Sequence, residues 1–170
     1  MKGYVHLYTG DGKGKTTAAF GLSIRAAGAG KKVFIAQFVK GMKYSELKAL
    51  ERIPEIEVRQ YGLKCFIISQ PTEADFQAAR RGLKEITKLI IGNKYDVVVL
   101  DEICIALYYN LIGLEEVLKL IEKKPLPMEL VLTGRNAPEA LVERAELVTE
   151  MKEIKHYYNE GVEARRGIEF

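Results

Sequence analysis

The chain has 170 residues, of which 48% are hydrophobic and 29% charged, with a formal net charge of +3. This length suffices to bury a substantial core, and we expect one domain, residues 1–170. So small a net charge, with basic residues dispersed along the chain, argues against a nucleic-acid-binding surface. The sequence suggests no signal peptide and no bilayer-spanning run, and its two cysteines lack metal-ligand spacing, so we expect a cytoplasmic protein away from membranes.

A glycine-rich segment near the N-terminus has the context of a phosphate-binding loop. It lies between a short β-like run, residues 4–8, and a helical run, residues 16–29. Strand, glycine-rich turn and helix in this order are typical of a P-loop, whose backbone N–H groups converge on phosphate. The nucleotide-binding residues predicted from this loop are Thr9, Gly10, Asp11, Gly12, Lys13, Gly14, Lys15, Thr16 and Thr17.

Two residues of this loop have predicted catalytic roles. Lys15 is expected to reach the phosphates, and Thr16 to offer its hydroxyl to Mg²⁺. The usual pattern places a glycine five residues before Gly14, where this chain has Thr9. Because of this difference, γ-phosphoryl chemistry is not assumed. The alternative interpretation is a glycine-rich turn with chance lysines.

The next elements alternate between strands and helices. Residues 33–38 form an apolar run typical of a strand covered on both faces, residues 44–52 a short helix, and residues 57–61 a third strand. An apolar, irregular segment follows at residues 62–71. Thr72 and Asp75 then have capping-box spacing at the start of a helix that ends near Gly92.

The second strong signal lies in residues 95–102, where four β-formers, residues 97–100, are followed by Asp101 and Glu102. Acids at the carboxyl end of a central strand have the arrangement of a Walker B motif, because ligands of parallel sheets bind at that edge. We expect Thr16 and Glu102 to hold Mg²⁺, with Asp101 nearby as support. The alternatives are a buried strand ending in two solvated acids and, for Asp101, a structural role only.

The remaining elements continue the alternation. Residues 103–111 are apolar and are predicted to belong to the core. Helices are predicted at residues 114–123 and 137–145, and strands at residues 129–133 and 147–151. Arg135 follows a strand end, so it is a further predicted nucleotide contact. Alternating strands and helices predict an α/β three-layer sandwich with a mainly parallel sheet, a P-loop NTPase-like (RecA-like) fold.

Taken together, these motifs resemble the P-loop type of ATP:corrinoid (cob(I)alamin) adenosyltransferase. The family loop T-G-N-G-K-G-K-T-T-A-A-F-G differs from residues 9–21 only at Asp11. Residues 37–41 resemble its Q-F-x-K-G, residues 97–102 its V-V-L-D-E, and residues 133–135 its T-G-R. The ending, residues 161–170, resembles G-[IV]-x-A-x-x-G-I-[ED]-[FY]. The displaced first glycine is thus a family trait.

The resemblance implies an activity and its substrates. The family transfers the 5′-deoxyadenosyl group of ATP to the Co(I) of cobalamin or another corrinoid and releases triphosphate, in adenosylcobalamin synthesis or salvage. It implies Mg²⁺, a homodimer, and a reductant protein such as a flavoprotein. The alternative is a P-loop ATPase or kinase in which Glu102 positions water.

Three further residues are assigned through the resemblance. Arg25 matches an arginine of the family and is predicted to contact the nucleotide, although a solvated helix surface is the alternative. Leu63 and Phe66 lie where the family keeps an aromatic motif against the corrin ring. We therefore predict that they form an apolar wall for the corrin, with plain core packing as the alternative.

Overall fold

The computed structural model describes residues 2–42, 44–63 and 70–170. Six strands form one sheet in which every pairing is parallel. The strands are β1 (Val5–Thr9), β2 (Val33–Phe38), β3 (Ile56–Tyr61), β4 (Val97–Asp101), β5 (Glu129–Thr133) and β6 (Leu147–Glu150). Their order across the sheet is β3-β2-β4-β5-β1-β6, so β5 separates the strand before the glycine-rich loop from the strand that ends in Asp101.

The helices follow the predicted alternation with small shifts at their ends. They are α1 (Lys15–Gly28), α2 (Ser45–Leu50), α3 (Glu73–Ile91), α4 (Ile103–Tyr108), α5 (Leu114–Glu122) and α6 (Glu139–Arg144), and a 3-10 helix follows at Tyr157–Glu160. At the start of α3, the Asp75 carboxylate accepts hydrogen bonds from the Thr72 N–H (2.8 Å) and hydroxyl (2.7 Å), as predicted. Within the described ranges, no helix is long and apolar enough to cross a membrane.

Apolar side chains on the two faces of the sheet form two cores. Alternate residues of β4 point to opposite sides: Val97 and Val99 share a core with α1, whereas Val98 and Leu100 share a core with α3, α4 and α5. This explains the continuous apolar run of the strand, since both faces are covered. The three-layer α/β arrangement with a parallel sheet is confirmed.

The segment 103–111, predicted as core, has two roles. Four residues of α4, namely Ile103, Cys104, Ala106 and Leu107, are buried in the core. The other face of α4 points to the carboxyl edge of the sheet, where the candidate site lies.

Candidate functional site

The glycine-rich loop is held from behind by the chain that follows β6. The Gly12 N–H donates to the Met151 carbonyl at 2.7 Å, and the Met151 N–H donates to the Thr9 carbonyl at 2.8 Å. A Cβ atom on Gly10 would lie 2.5 Å from the Met151 carbonyl oxygen, and one on Gly12 would lie 2.7 Å from it. Because Cβ atoms do not approach so closely, both positions require glycine for packing as well as for any phosphate.

Lys15, the first residue of α1, is held inside the loop. Its ammonium donates to the carbonyls of Gly10 (2.5 Å) and Gly12 (2.8 Å), and the side chain is nearly buried. Burial lowers the pKa of Lys15, and the nearby charge of Arg135 lowers it further. The loop thus presents a fixed cation close to the start of a helix, where anions bind favourably.

Asp101 is the hub of a buried polar network at the carboxyl edge of the sheet. Its Oδ1 accepts from the hydroxyls of Thr16 (2.9 Å) and Thr133 (2.8 Å). Its Oδ2 accepts from Gln37 Nε2 (3.1 Å) and Lys40 Nζ (2.9 Å). The side chain is 0% exposed, so these four bonds satisfy a charge that water does not reach.

Lys40 joins the loop to the end of β4. Its ammonium donates to Thr16 Oγ1 at 2.9 Å and lies 3.7 Å from Glu102 Oε1. Burial by itself would lower the pKa of Lys40, but the charges of Asp101 and Glu102 outweigh it and raise the pKa. Lys40 therefore remains a cation at a largely buried position.

Glu102 lies at the mouth of this network in an unusual backbone conformation. Its φ is 59°, in the left-handed region, and its N–H donates to Thr133 Oγ1 at 3.0 Å. Burial raises the pKa of its carboxyl, an effect that the Lys40 charge opposes. Val39 (φ 60°) and Asn136 (φ 55°) are left-handed too, so the ends of β2, β4 and β5 share conformations that non-glycine residues adopt at an energetic cost.

A groove of about 810 Å³ runs along the loop and the outer face of α1. The predicted residues 12–17, Glu102 and Arg135 line it together with Lys40, and His156 and residues 167–170 form another part of its wall. Four other predicted nucleotide contacts, Thr9, Gly10, Asp11 and Arg25, are not part of the lining that the described residues form. Arg25 is exposed on α1. Burial raises the pKa of Tyr8 of β1, and the positive charge of Arg25 partly opposes that rise.

A second cavity of about 480 Å³ adjoins the groove. It shares Lys40, Glu102 and Arg135 with the groove, and its lining adds Ile105 and Tyr108 of α4 and Tyr109, which directly follows α4. Val39 and Asn136 complete this lining. Leu63 is half-buried at the end of the segment after β3, and Phe66 lies outside the described residues.

Several functional residues were missed from the sequence. Lys40, Gln37 and Thr133 belong to segments that carried the family resemblance, but no local pattern assigned them a role. The groove-lining part of the C-terminal tail likewise lacks periodicity. Only their contacts with Asp101 or the loop, made across long stretches of chain, bring them to the site.

A parallel sheet with a glycine-rich loop before α1, and an acid pair at the end of a nonadjacent strand, defines a P-loop nucleotide-binding protein of the α/β class. The family model for the ATP:corrinoid adenosyltransferases BtuR/CobO/CobP matches residues 1–170. The chain belongs to this family.

Several relatives of this chain are corrinoid adenosyltransferases. The corrinoid adenosyltransferase of Escherichia coli (strain K12) is 33% identical over 99% of this chain and 86% of its own length. Those of Pseudomonas aeruginosa and a Sinorhizobium species are 35% and 37% identical over 99% of this chain, and 84% and 81% of their own lengths. Among solved structures, a KaiC-like protein from Pyrococcus horikoshii OT3 has the same fold, with a TM-score of 0.59, 19% identity, and coverage of 91% of this chain and 75% of its own.

Proposed function

We propose that this protein transfers the 5′-deoxyadenosyl group of ATP to the Co(I) of a corrinoid and releases triphosphate, with ATP in the groove and the corrinoid at the adjoining cavity. The observation that carries this proposal is the contact between the two cavities at Lys40, Glu102 and Arg135. One cavity is lined by the phosphate-binding loop, and the other has Ile105, Tyr108 and Tyr109 beside the charged residues that the two cavities share. A reaction between a nucleotide and a large apolar ring requires such a pair of sites, side by side.

Two side chains of the groove, Thr16 and Glu102, fit a Mg²⁺ ion. Thr16 Oγ1 and the Glu102 carboxylate supply hard oxygen ligands of the kind that Mg²⁺ prefers, and would hold it directly or through water. All four bonds of Asp101 are already made within the protein, so it supports Thr16 and is not itself a ligand. When bound, Mg²⁺ supplies positive charge that stabilises the departing triphosphate.

The chemistry requires alignment more than proton transfer. The electron pair of Co(I) forms a bond to C5′ of ATP, the C5′–O bond breaks, and triphosphate leaves with that bond's electrons, so cobalt is formally oxidised by two electrons. Such a displacement benefits from holding both reactants in line. Lys15, Lys40 and Arg135 are the cations of this chain that oppose the charge growing on the leaving group.

The α4 wall is the proposed corrin surface. Tyr108 is 60% exposed and lines the cavity together with Tyr109 and Ile105, so these side chains offer a contiguous apolar surface to a ligand. Leu63 and Phe66 remain proposed corrin contacts from the family resemblance, although Leu63 is not part of the lining that the described residues give either cavity. An apolar surround disfavours water as an axial cobalt ligand, which makes reduction to Co(I) easier.

The wider setting is proposed from the family alone. It comprises a homodimer, a reductant protein such as a flavoprotein, and a role in adenosylcobalamin synthesis or salvage in the cytoplasm. Arg25, Thr9, Gly10 and Asp11 remain proposed nucleotide-site residues, with Thr9, Gly10 and Asp11 acting through the shape of the loop.

The decisive experiment is an incubation with ATP, Mg²⁺ and chemically reduced cobalamin, followed by absorbance and by analysis of the phosphate products. Adenosylcobalamin with stoichiometric triphosphate is expected. ADP and phosphate without a cobalt product would instead indicate an ATPase or kinase.

The corrin surface is tested by Tyr108→Leu, with Tyr4→Leu as the control because Tyr4 is a partly exposed tyrosine just before β1, away from both cavities. Tyr108→Leu should raise KM for cobalamin while KM for ATP stays unchanged. Equal constants in both variants would exclude the α4 wall.

A further inference from the structure

The last residues of the chain are fastened to the phosphate loop. We call residues 156–170 the C-terminal strap. The ammonium of Lys13, at the tip of the loop, donates to the Tyr157 hydroxyl (3.1 Å), the Ile168 carbonyl (3.1 Å) and Glu169 Oε1 (2.8 Å). The Tyr157 hydroxyl is also hydrogen-bonded to Glu169. All three donor hydrogens of the Lys13 ammonium are thus directed to the strap.

The strap is folded in a way that presents Glu169 to Lys13. The Glu169 N–H donates to the Arg165 carbonyl at 2.9 Å, and the Arg165 N–H donates back to Glu169 Oε2 at 2.7 Å. The Arg165 guanidinium lies 5.0 Å from the centre of the Tyr157 ring, next to the contact that Tyr157 and Glu169 make with Lys13. Gly167 has φ 79°, a turn that a residue with a Cβ atom adopts with strain.

The strap also forms part of the groove. His156 and residues 167–170 line it together with the loop, and the Phe170 main-chain oxygen accepts a hydrogen bond from Ser45 Oγ of α2 at 3.1 Å. The strap therefore runs from the tip of the loop to α2 along one side of the groove. Ile168 and Phe170 are 56% and 42% exposed, so their apolar surface is available to a bound nucleotide.

A single exposed ion pair would contribute little, because water and salt screen it. The contact at Lys13 differs because one ammonium is shared by a carboxylate, a hydroxyl and a carbonyl in a fixed geometry. Releasing Lys13 would free both the tip of the loop and the wall of the groove. The two events are linked through one side chain.

We propose that Glu169, assisted by Tyr157, is a positioning residue for ATP: it binds Lys13 of the phosphate loop and so docks the C-terminal strap as a wall of the nucleotide groove. Lys13 then acts on ATP through the strap and not by direct phosphate contact. Nucleotide binding and strap docking stabilise each other, since each orders a surface the other contacts. This inference rests on the proposed location of ATP in the groove.

The test compares Glu169→Gln with Glu163→Gln, a matched change at an exposed glutamate of the same strap that lines neither cavity. We expect Glu169→Gln to raise KM for ATP about fivefold or more while kcat changes less than about twofold. Glu163→Gln should match the wild type. Tyr157→Phe, a milder change that keeps the ring, should shift KM in the same direction.

A second readout follows the strap itself. Hydrogen exchange of residues 161–170 should slow when MgATP is added to the wild type, and should be faster in Glu169→Gln before addition. Lys13→Gln combined with Glu169→Gln should be no worse than either single variant, because both break the same contact. Exchange of the sheet amides verifies that each variant is folded.

Three outcomes would overturn the proposal: equal KM values for Glu169→Gln and Glu163→Gln, strap exchange that is insensitive to MgATP, or additive effects of the Lys13 and Glu169 changes. The last would assign Lys13 to direct phosphate contact. The cobalamin assay tests the proposed function separately: if that function is wrong, the wild type forms no adenosylcobalamin, whereas the MgATP affinities of the variants, measured by calorimetry, still test the strap contact.

Discussion

Replacing Asp101 by Asn tests whether the buried network is centred on this charge. Asn has the same shape and can still accept from Thr16 and Thr133 at one oxygen. Its amide group, however, then faces two donors, Gln37 Nε2 at 3.1 Å and Lys40 Nζ at 2.9 Å. Lys40, with a side chain only 13% exposed, keeps Glu102 at 3.7 Å as its remaining acidic neighbour within the described chain.

The magnitude follows from the burial of the pair. Removing one partner of a fully buried ion pair costs about 3–5 kcal/mol. The remaining Glu102 and the partial exposure of Lys40 reduce this, so we expect a loss of about 2–3 kcal/mol in the free energy of unfolding. For a chain of this size, the melting temperature should fall by about 5–10 °C.

The assay is urea and thermal unfolding without nucleotide, with Asp96→Asn as the control. Asp96 is exposed and accepts from the Lys32 N–H at 2.8 Å, a bond that an amide oxygen can replace. The double variant Asp101→Asn with Lys40→Met should be at least about 1 kcal/mol more stable than additivity predicts. Equal stabilities of Asp101→Asn and Asp96→Asn, or strict additivity, would refute the network as described.

Three further predictions test the loop, the packing and the pH response. Lys15→Ala should abolish turnover and strongly weaken MgATP binding in calorimetry; near-normal values would remove the P-loop assignment. Gly82→Ala would place a Cβ atom 2.6 Å from Cγ of Tyr61, so urea unfolding should show a loss of about 1–3 kcal/mol. Gly28→Ala, whose Cβ meets nothing within 4 Å, should be neutral or stabilising, and equal losses would contradict the packing. Burial raises the pKa of Tyr95 to about 12, so the folded state favours the neutral phenol. Its contribution to stability is full below the unfolded pKa of about 10 and lost as pH rises from there towards 12. Tyr95→Phe should flatten that part of the pH–stability curve, and an unchanged slope would argue against it.

The family and fold could be predicted from the sequence because their signals are local. The glycines, lysines and threonines of the loop are all contained in one short segment, residues 9–17, between a strand and a helix. The mostly apolar runs at residues 33–38 and 97–100 indicate strands covered on both faces, and such a run can be recognised without knowing which strands pair with it. Asp101 was expected near Thr16 for a simple reason: carboxyl ends of parallel strands meet at one edge.

Tertiary structure alone decided what these residues do for one another. The spacing along the chain does not show that Lys40 bridges Thr16 and Asp101. Nor does it show that both carboxylate oxygens of Asp101 accept hydrogen bonds from donors within the protein. The strap is the clearest case. Lys13 and Glu169 are separated by 156 positions, and no sequence pattern links the two segments in which they lie. Contacts of this kind depend on the strand order, which places β1 between β5 and β6 and so brings the chain after β6 back across the loop. A local sequence pattern predicts the conformation of its own segment. The hydrogen-bond partner of a polar side chain, in contrast, is determined only when distant segments pack together.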